Sequence, residues 1–486
     1  MLFLFSGSNR IELGANYIHG VLGNPIYELA MAHGLVDIIH VPKPHKVIAA
    51  LENGSQVPFS VLQEIYEAYV CFLRRCEEYF LCQYLPPEGI NSVGEHISLE
   101  ASLYLNRITE PEERHLKNLI FDCLLKRETC ITGCDDMNEV DLLELGSYTE
   151  LQGGNIVLPG GYSSILEPVS CIIPPRNILL EHPVATINWQ CKDSTNDHLT
   201  SPGYDSGIDL LANGDPGNDS DDSDKTVTGG TLTPRRNSTS SRASCEKSIK
   251  EESNKEEAPK LSDISENSDE LTTVEVICEN GTKFYANHII CTIPLGVLKE
   301  KALSLFSPKL PQYKLESINR LAFGTVNKIF LEYSRPFLNP DISEVMLLWD
   351  TREEDSSDIA SNWYKKIYSF AKVTETLFLG WISGKEARYM ETLSSDVVGE
   401  KCTELLRKFL NDPYIPLPKL CLCSNWHGQE YFKGSYTSIA VGASQLDVEQ
   451  IAQPLFTNIN QKKVSVGIFL VVIMEISFLL PYIFIF

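Results

Sequence analysis

The chain has 486 residues, 43% hydrophobic and 22% charged, which is the profile of a globular protein. That length leaves room for roughly three domains. Its 65 acidic residues against 41 basic ones give a formal net charge of −24, which disfavours nucleic acid and anionic lipid as partners and favours polycations. Fourteen cysteines, without paired C-x-x-C units or a Cys/His cluster of zinc spacing, exclude a disulfide framework and a zinc module, and suit a cytoplasmic or nuclear compartment.

In chain order, Met1 to Phe5 is an apolar run of five residues with no preceding positive charge, too short for a secretory signal. Asn24-Pro25-Ile26-Tyr27-Glu28-Leu29-Ala30-Met31-Ala32-His33-Gly34 carries an Asn cap, a proline at the first helical position and a glycine past the end, which predicts a helix. A second helix is expected over Val61 to Phe80, with Leu62, Ile65, Tyr66, Tyr69, Leu73, Cys76 and Phe80 on one stripe. Pro183 to Gln190 alternates as a strand, and Thr272 to Cys278 alternates again before the apolar run His288 to Ile293. Between them, 193–270 is rich in Ser, Asp, Asn, Gly, Glu and Lys, with 18 acidic and 8 basic residues. It reads as a disordered acidic insert interrupting a β-meander at a hairpin. Strands are expected at Val326 to Tyr333, Thr376 to Ile382 and Leu420 to Trp426, and a helix over Ser395 to Leu410 before Pro413. The fold class is therefore α/β, of the mixed α+β kind.

Glu12 to Tyr27 reads E-L-G-A-N-Y-I-H-G-V-L-G-N-P-I-Y, with three glycines suited to backbone approach to a flat ligand. This stretch resembles the G-A-x-W-I-H-G…G-N-P segment of the flavin-containing amine oxidase family, and within it the polyamine-oxidising, spermine-type members. Further segments agree in order: Leu151 to Gly161, the strand and acidic insert, Cys291 to Lys299, Arg320 to Tyr333, Trp381 to Glu386 and Trp426 to Tyr436. The likeness spans roughly Glu12 to Pro454, and several ordered matches are far more specific than a single glycine motif.

The resemblance implies an FAD/NAD(P)-binding Rossmann-like domain interleaved with a substrate domain of mixed sheet and helices. The expected division gives 10–40, 150–192, 271–300 and 430–455 to the FAD domain, and 41–149 and 301–429 to the substrate domain. It implies FAD as cofactor, with Gly14, Ala15, Asn16, Tyr17, Val184 and Trp426 against it, and polyamine and oxygen as substrates. No nucleic-acid partner is implied, and the oligomeric state is left open.

Lys328 shares a strand face with Val326 and Phe330. A lysine there either snorkels to solvent at a rim or has a partner or a task. The resemblance implies the second, with the lysine holding a water beside flavin N5. His19 is either a packed, hydrogen-bonded histidine or, by resemblance, a titratable neighbour of the amine. Trp426, Phe432 and Tyr436 read as ordinary core or as aromatic walls for a cationic amine, and the resemblance makes Tyr436 one wall of a cage at the flavin face. Glu128 and Thr132 fall in Arg127 to Met137, expected as a loop that either faces the far end of the polyamine or is a solvated surface. Cys130 and Cys134 have no third or fourth ligand nearby and read as structural.

Two departures stand against the likeness. No G-x-G-x-x-G occurs in the sequence, and after Pro454 it leaves the pattern for Val464 to Phe486, 23 residues of which sixteen are Val, Leu, Ile or Phe. The FAD domain is thus expected to be incomplete, with the chain shortened at both ends and its activity in doubt. The apolar segment is expected either as a membrane-spanning C-terminal anchor or as a nonfunctional alternative end. Rival readings are a noncatalytic polyamine-binding or membrane-tethered relative, and a flavin amine oxidase acting on methyl-lysine.

Overall fold

The computed structural model describes residues 3–6, 9–36, 46–148, 151–189, 274–350, 358–459, 462–470 and 483–485. The acidic insert expected at 193–270 lies outside them. The described chain is mixed α and β.

A six-stranded sheet is the scaffold of the site. Its spatial order is Leu420–Cys423, Val326–Glu332, Leu377–Ser383, Ser369–Lys372, Ile342–Leu348 and Lys46–Leu51, antiparallel throughout except for the last pair. All seven residues of Val326–Glu332 are buried because both faces of the sheet are covered. Ile329 and Leu331, with Leu347, Phe378 and Ile382, pack on residues of the helices Gly384–Met390 and Ser395–Phe409. On the opposite face, Val326, Met346 and Leu348 join residues of Phe59–Cys82, Val93–Leu105 and Pro111–Thr132. A strand sandwiched this way has no solvent face on which a polar side chain can rest without a partner.

The second helix is longer than expected, and its buried stripe is Leu62, Ile65, Tyr69, Phe72 and Cys76. Tyr66 instead is 43% exposed. The first helix, Pro25–Ala32, begins as expected, with Asn24 Oδ1 accepting from the amides of Ile26 and Tyr27. Arg127 to Thr132 is not loop: these residues end the 22-residue helix Pro111–Thr132, and the chain leaves it only at Gly133, in the left-handed conformation at φ 75°. Glycine adopts that geometry without the steric cost of a side chain, so the helix runs on to it.

The hairpin around the insert forms as the alternation predicts. Val184–Asn188 pairs antiparallel with Val274–Cys278 in a four-stranded sheet completed by Phe306–Ser307 and Lys283–Ala286. A separate sheet is built on His288–Cys291, flanked by Lys462–Leu470 in parallel and Ile483–Ile485 antiparallel. Of the apolar segment expected from Val464 onward, 464–470 belongs to a strand and 471–482 lies outside the described residues. The β-branched residues of V-S-V-G-I suit a pleated strand, and pairing with His288–Cys291 satisfies its backbone. Among the described residues, no helix is long and apolar enough to cross a membrane.

Candidate active site

Lys328 is 4% exposed, so the rim-lysine reading fails. Its Nζ donates to the carbonyl oxygens of Glu12, at 3.0 Å, and Gly14, and to Asn16 Oδ1 at 3.0 Å. It also sits 5.0 Å from the ring centroid of Trp381, its cross-strand neighbour. Burial pulls the amine down from 10.5 to about 7, against the opposing pull of the Glu12 charge. A primary amine that changes protonation near neutral pH is thus held in a dry setting of carbonyl oxygens and an indole face.

The segment meeting it is anchored by its apolar residues. Ile11 and Leu13 are buried against Phe330, Leu377 and Leu379, with Trp381 and Leu422 at the margin. Side chains alternate along an extended segment, so seating Ile11 and Leu13 on the sheet fixes the backbone from which the Glu12 and Gly14 carbonyls reach the lysine.

Segments far apart in sequence are drawn to this end of the sheet. Tyr17–His19 pairs with Asn155–Val157, and Val21 and Leu22 donate to the Gln152 carbonyl at 2.7 and 3.0 Å. Ala322–Gly324 pairs with Tyr436–Ser438. Gly296 faces the carbonyls of Phe432 and Lys433, where a Cβ would come within 2.6 and 2.7 Å, and Gly324 lies against the Gly133 backbone with no room for a Cβ. Two of the three glycines in the Glu12 to Tyr27 stretch serve the chain itself. Gly20, at φ 73°, makes room for Leu151, and Gly23, at φ 76°, turns the chain before Asn24.

The other expected residues are placed as follows. The Tyr436 hydroxyl donates to the Cys130 carbonyl and its ring covers Gly133, so it closes on the C-terminal end of the helix Pro111–Thr132. Trp426 is buried and meets Phe432 edge-on at 5.1 Å. Glu128 and Thr132, on the same helix, are half-buried, and burial raises the Glu128 carboxyl against the pull of Arg127. The hydroxyl of Tyr69 is buried with no hydrogen-bond partner, and its phenol is raised by burial and then by the Glu128 charge. His19 is exposed, with Nδ1 at 2.9 Å from Asn155 Oδ1. Ala15 packs with Ile18 and Ala30, and Tyr17 is 41% exposed. Val184 belongs to the four-stranded sheet and the cluster of Ile187 and Trp189, and no observed contact brings it to Lys328. Cys130 and Cys134 are buried thiols pushed up by burial, Cys130 to about 11.

Sequence reasoning missed the polar network beneath Trp426. Asn327 is fully buried; its Oδ1 accepts from Ser424 Oγ at 2.8 Å and the Trp426 amide at 3.3 Å. Its Nδ2 donates to Glu391 Oε1 at 2.7 Å, and the Glu391 carboxylate also accepts the amides of His427 and Gly428 at 2.9 and 2.8 Å. Ser424 Oγ accepts the Lys328 amide at 2.8 Å, which ties the network to the lysine. An asparagine inside the apolar strand V-N-K-I-F-L-E was the available signal.

A buried amine held by two carbonyls and the Asn16 carboxamide beside one indole face is a candidate neighbour for a flat, electron-accepting ring. The described residues do not supply a cradle for its phosphates. Phe3–Ser6 and Asn9–Glu12 form an antiparallel hairpin in place of a strand, glycine turn and helix. The sequence holds no G-x-G-x-x-G.

The fold and site define a mixed α/β protein with a buried lysine amine at a six-stranded sheet. A model of the family described as flavin containing amine oxidoreductase matches residues 258–464. The chain is 28% identical over 465 residues to human peroxisomal N(1)-acetyl-spermine/spermidine oxidase, across 92% of this chain and 77% of that one. It is 24% identical over 495 residues to polyamine oxidase 1 of Oryza sativa subsp. japonica, across 93% and 79%. To a possible lysine-specific histone demethylase 1 of Drosophila melanogaster it is 26% identical over 198 residues, across 37% and 21%. Over 258–464 the chain is thus similar to a flavin-containing family, and over most of its length to polyamine oxidases.

Proposed function

We propose that this chain carries the machinery for oxidising a spermine-like polyamine to an aminoaldehyde and a shorter amine, with oxygen reduced to hydrogen peroxide. The observation that carries this reading is the buried Lys328 amine against the Glu12 to Asn16 strip and Trp381. Its support in breadth is that the polyamine-oxidase relatives align across more than nine-tenths of the chain, whereas the demethylase match covers 37%. The division expected for the FAD and substrate domains is retained as part of this proposal.

When bound, FAD would supply the two-electron acceptor, with Lys328, Gly14 to Tyr17, Trp426 and Tyr436 at its ring. Lys328, its basicity lowered by burial to about 7, would hold or release a proton near neutral pH. Trp426 and Tyr436 exclude water and offer ring faces to a cation. Glu128, whose carboxyl is held above its ordinary value by burial, would pair with a substrate ammonium beside Thr132. His19 Nδ1 donates to Asn155 Oδ1, which leaves its second ring nitrogen as the acceptor for a hydrogen bond from the incoming amine. The net charge of −24 favours encounter with a polycation.

The test is amine-dependent peroxide formation by the full chain supplied with excess FAD, comparing spermine, spermidine and N1-acetylspermine. Peroxide formation with spermine and its loss in Lys328→Met supports the reading; flavin binding without turnover of any of the three overturns it. A second reading, a noncatalytic polyamine-binding relative, is favoured by the hairpin Phe3–Ser6 and Asn9–Glu12, which leads directly into the strip held by Lys328. Spermine binding by calorimetry with no flavin present, together with no turnover, would select it.

A further inference from the structure

On the edge strand Leu420–Cys423, Cys421 and Cys423 point to the same side of the sheet, and their Sγ atoms are 3.9 Å apart. Both are half-buried under the helix Ser395–Phe409. Gly399 of that helix leaves the space: a Cβ there would stand 3.1 Å from Cys421 Cβ and 3.6 Å from its Sγ. Two cysteines packed as plain apolar residues have no need to bring their sulfurs together. The next residue, Ser424, accepts the Lys328 amide through Oγ, and its own amide donates to the Lys328 carbonyl at 2.9 Å. Trp426 follows on the Asn327 carboxamide.

We propose that Cys421 and Cys423 are a peroxide-oxidised dithiol, closing to an intrastrand disulfide that perturbs the Ser424 and Trp426 supports of the candidate site. The Cys423 sulfur attacks one peroxide oxygen, breaking the O–O bond, forming a sulfenic acid and releasing hydroxide, which takes up the displaced proton as water. The Cys421 sulfur then displaces the sulfenic hydroxyl as a second water, so two thiols lose two electrons and two protons to one peroxide. Residues two apart on a strand have Cα atoms about 6.5 Å apart, near the upper end of what a disulfide spans, so closure must pucker the strand. That the peroxide arises at this chain's own site rests on the proposed function; the dithiol itself does not.

The test adds hydrogen peroxide as a reagent to the fully reduced chain, in the absence of flavin and amine, so that a missing oxidase activity leaves it unaffected. After free thiols are blocked, peptide mass mapping is expected to show the loss of two hydrogens across 421–423, restored by a dithiol reductant. Tryptophan fluorescence should shift and recover in parallel, with both changes absent in Cys423→Ser. Alkylation of both thiols after peroxide treatment, or their separate conversion to sulfinic acids, would overturn the proposal. A disulfide formed without any fluorescence change would overturn its coupling to the site.

Discussion

Replacing Lys328 with methionine removes a group that holds far fewer protons in the folded chain than in the unfolded one. Its amine titrates near about 7 when folded and at 10.5 when free. Between those values the unfolded chain binds more protons, so the lysine's contribution to stability rises with pH through that window and is level below and above it. The span corresponds to about 5 kcal/mol in all, of which about 2 kcal/mol falls between pH 7 and pH 9. Urea unfolding of wild type and Lys328→Met, followed by tryptophan fluorescence at those two pH values, isolates the term, because the other titrating groups are common to both proteins. Wild type should gain about 2 kcal/mol relative to the variant on going from pH 7 to pH 9. A difference that stays flat, or falls, would refute a buried amine of lowered basicity.

Asn327→Leu strips partners from Ser424, the Trp426 amide and Glu391, and should cost about 2 to 4 kcal/mol in urea unfolding. Gly324→Ala drives a Cβ into the Gly133 backbone and should destabilise by about 3 kcal/mol, measured the same way. Asn24→Ala loses the helix cap and the bonds from Nδ2 to the His19 and Gly20 carbonyls, at 2.9 and 3.3 Å, so a cost of about 1 to 2 kcal/mol is expected from thermal unfolding. If flavin binds as proposed, with no phosphate cradle among the described residues, FAD should bind no more than about tenfold more tightly than riboflavin in fluorescence-quenching titrations. A thousandfold preference would show that this chain holds the pyrophosphate.

What was legible in the sequence was local. The Asn24 cap and Pro25 start are written within three residues, and the alternation on either side of the acidic insert identifies two strands that can pair whatever lies between them. The stretch from Glu12 and the lysine at 328 stood out by resemblance, but only the fold joins them, through hydrogen bonds that link residues more than 300 apart. The loop expected over Arg127 to Met137 by resemblance is helix as far as Thr132; R-E-T-C-I-T has no apolar periodicity of its own and is helical because the preceding residues pack and Gly133 ends the run. The strand Lys462–Leu470 was not legible, since a continuous apolar run does not distinguish a strand from a helix until its sheet partner is known. The Asn327 network depends on strand register and on the path of 424–428, neither of which is carried by any single segment.

The most direct test of the central claim is an anaerobic one: spermine is added to the full chain with excess FAD, and the visible flavin absorbance is followed. The account predicts bleaching at a rate that saturates with amine concentration and is largely lost in Lys328→Met. An unchanged spectrum in a sample where flavin binding has been demonstrated would contradict it.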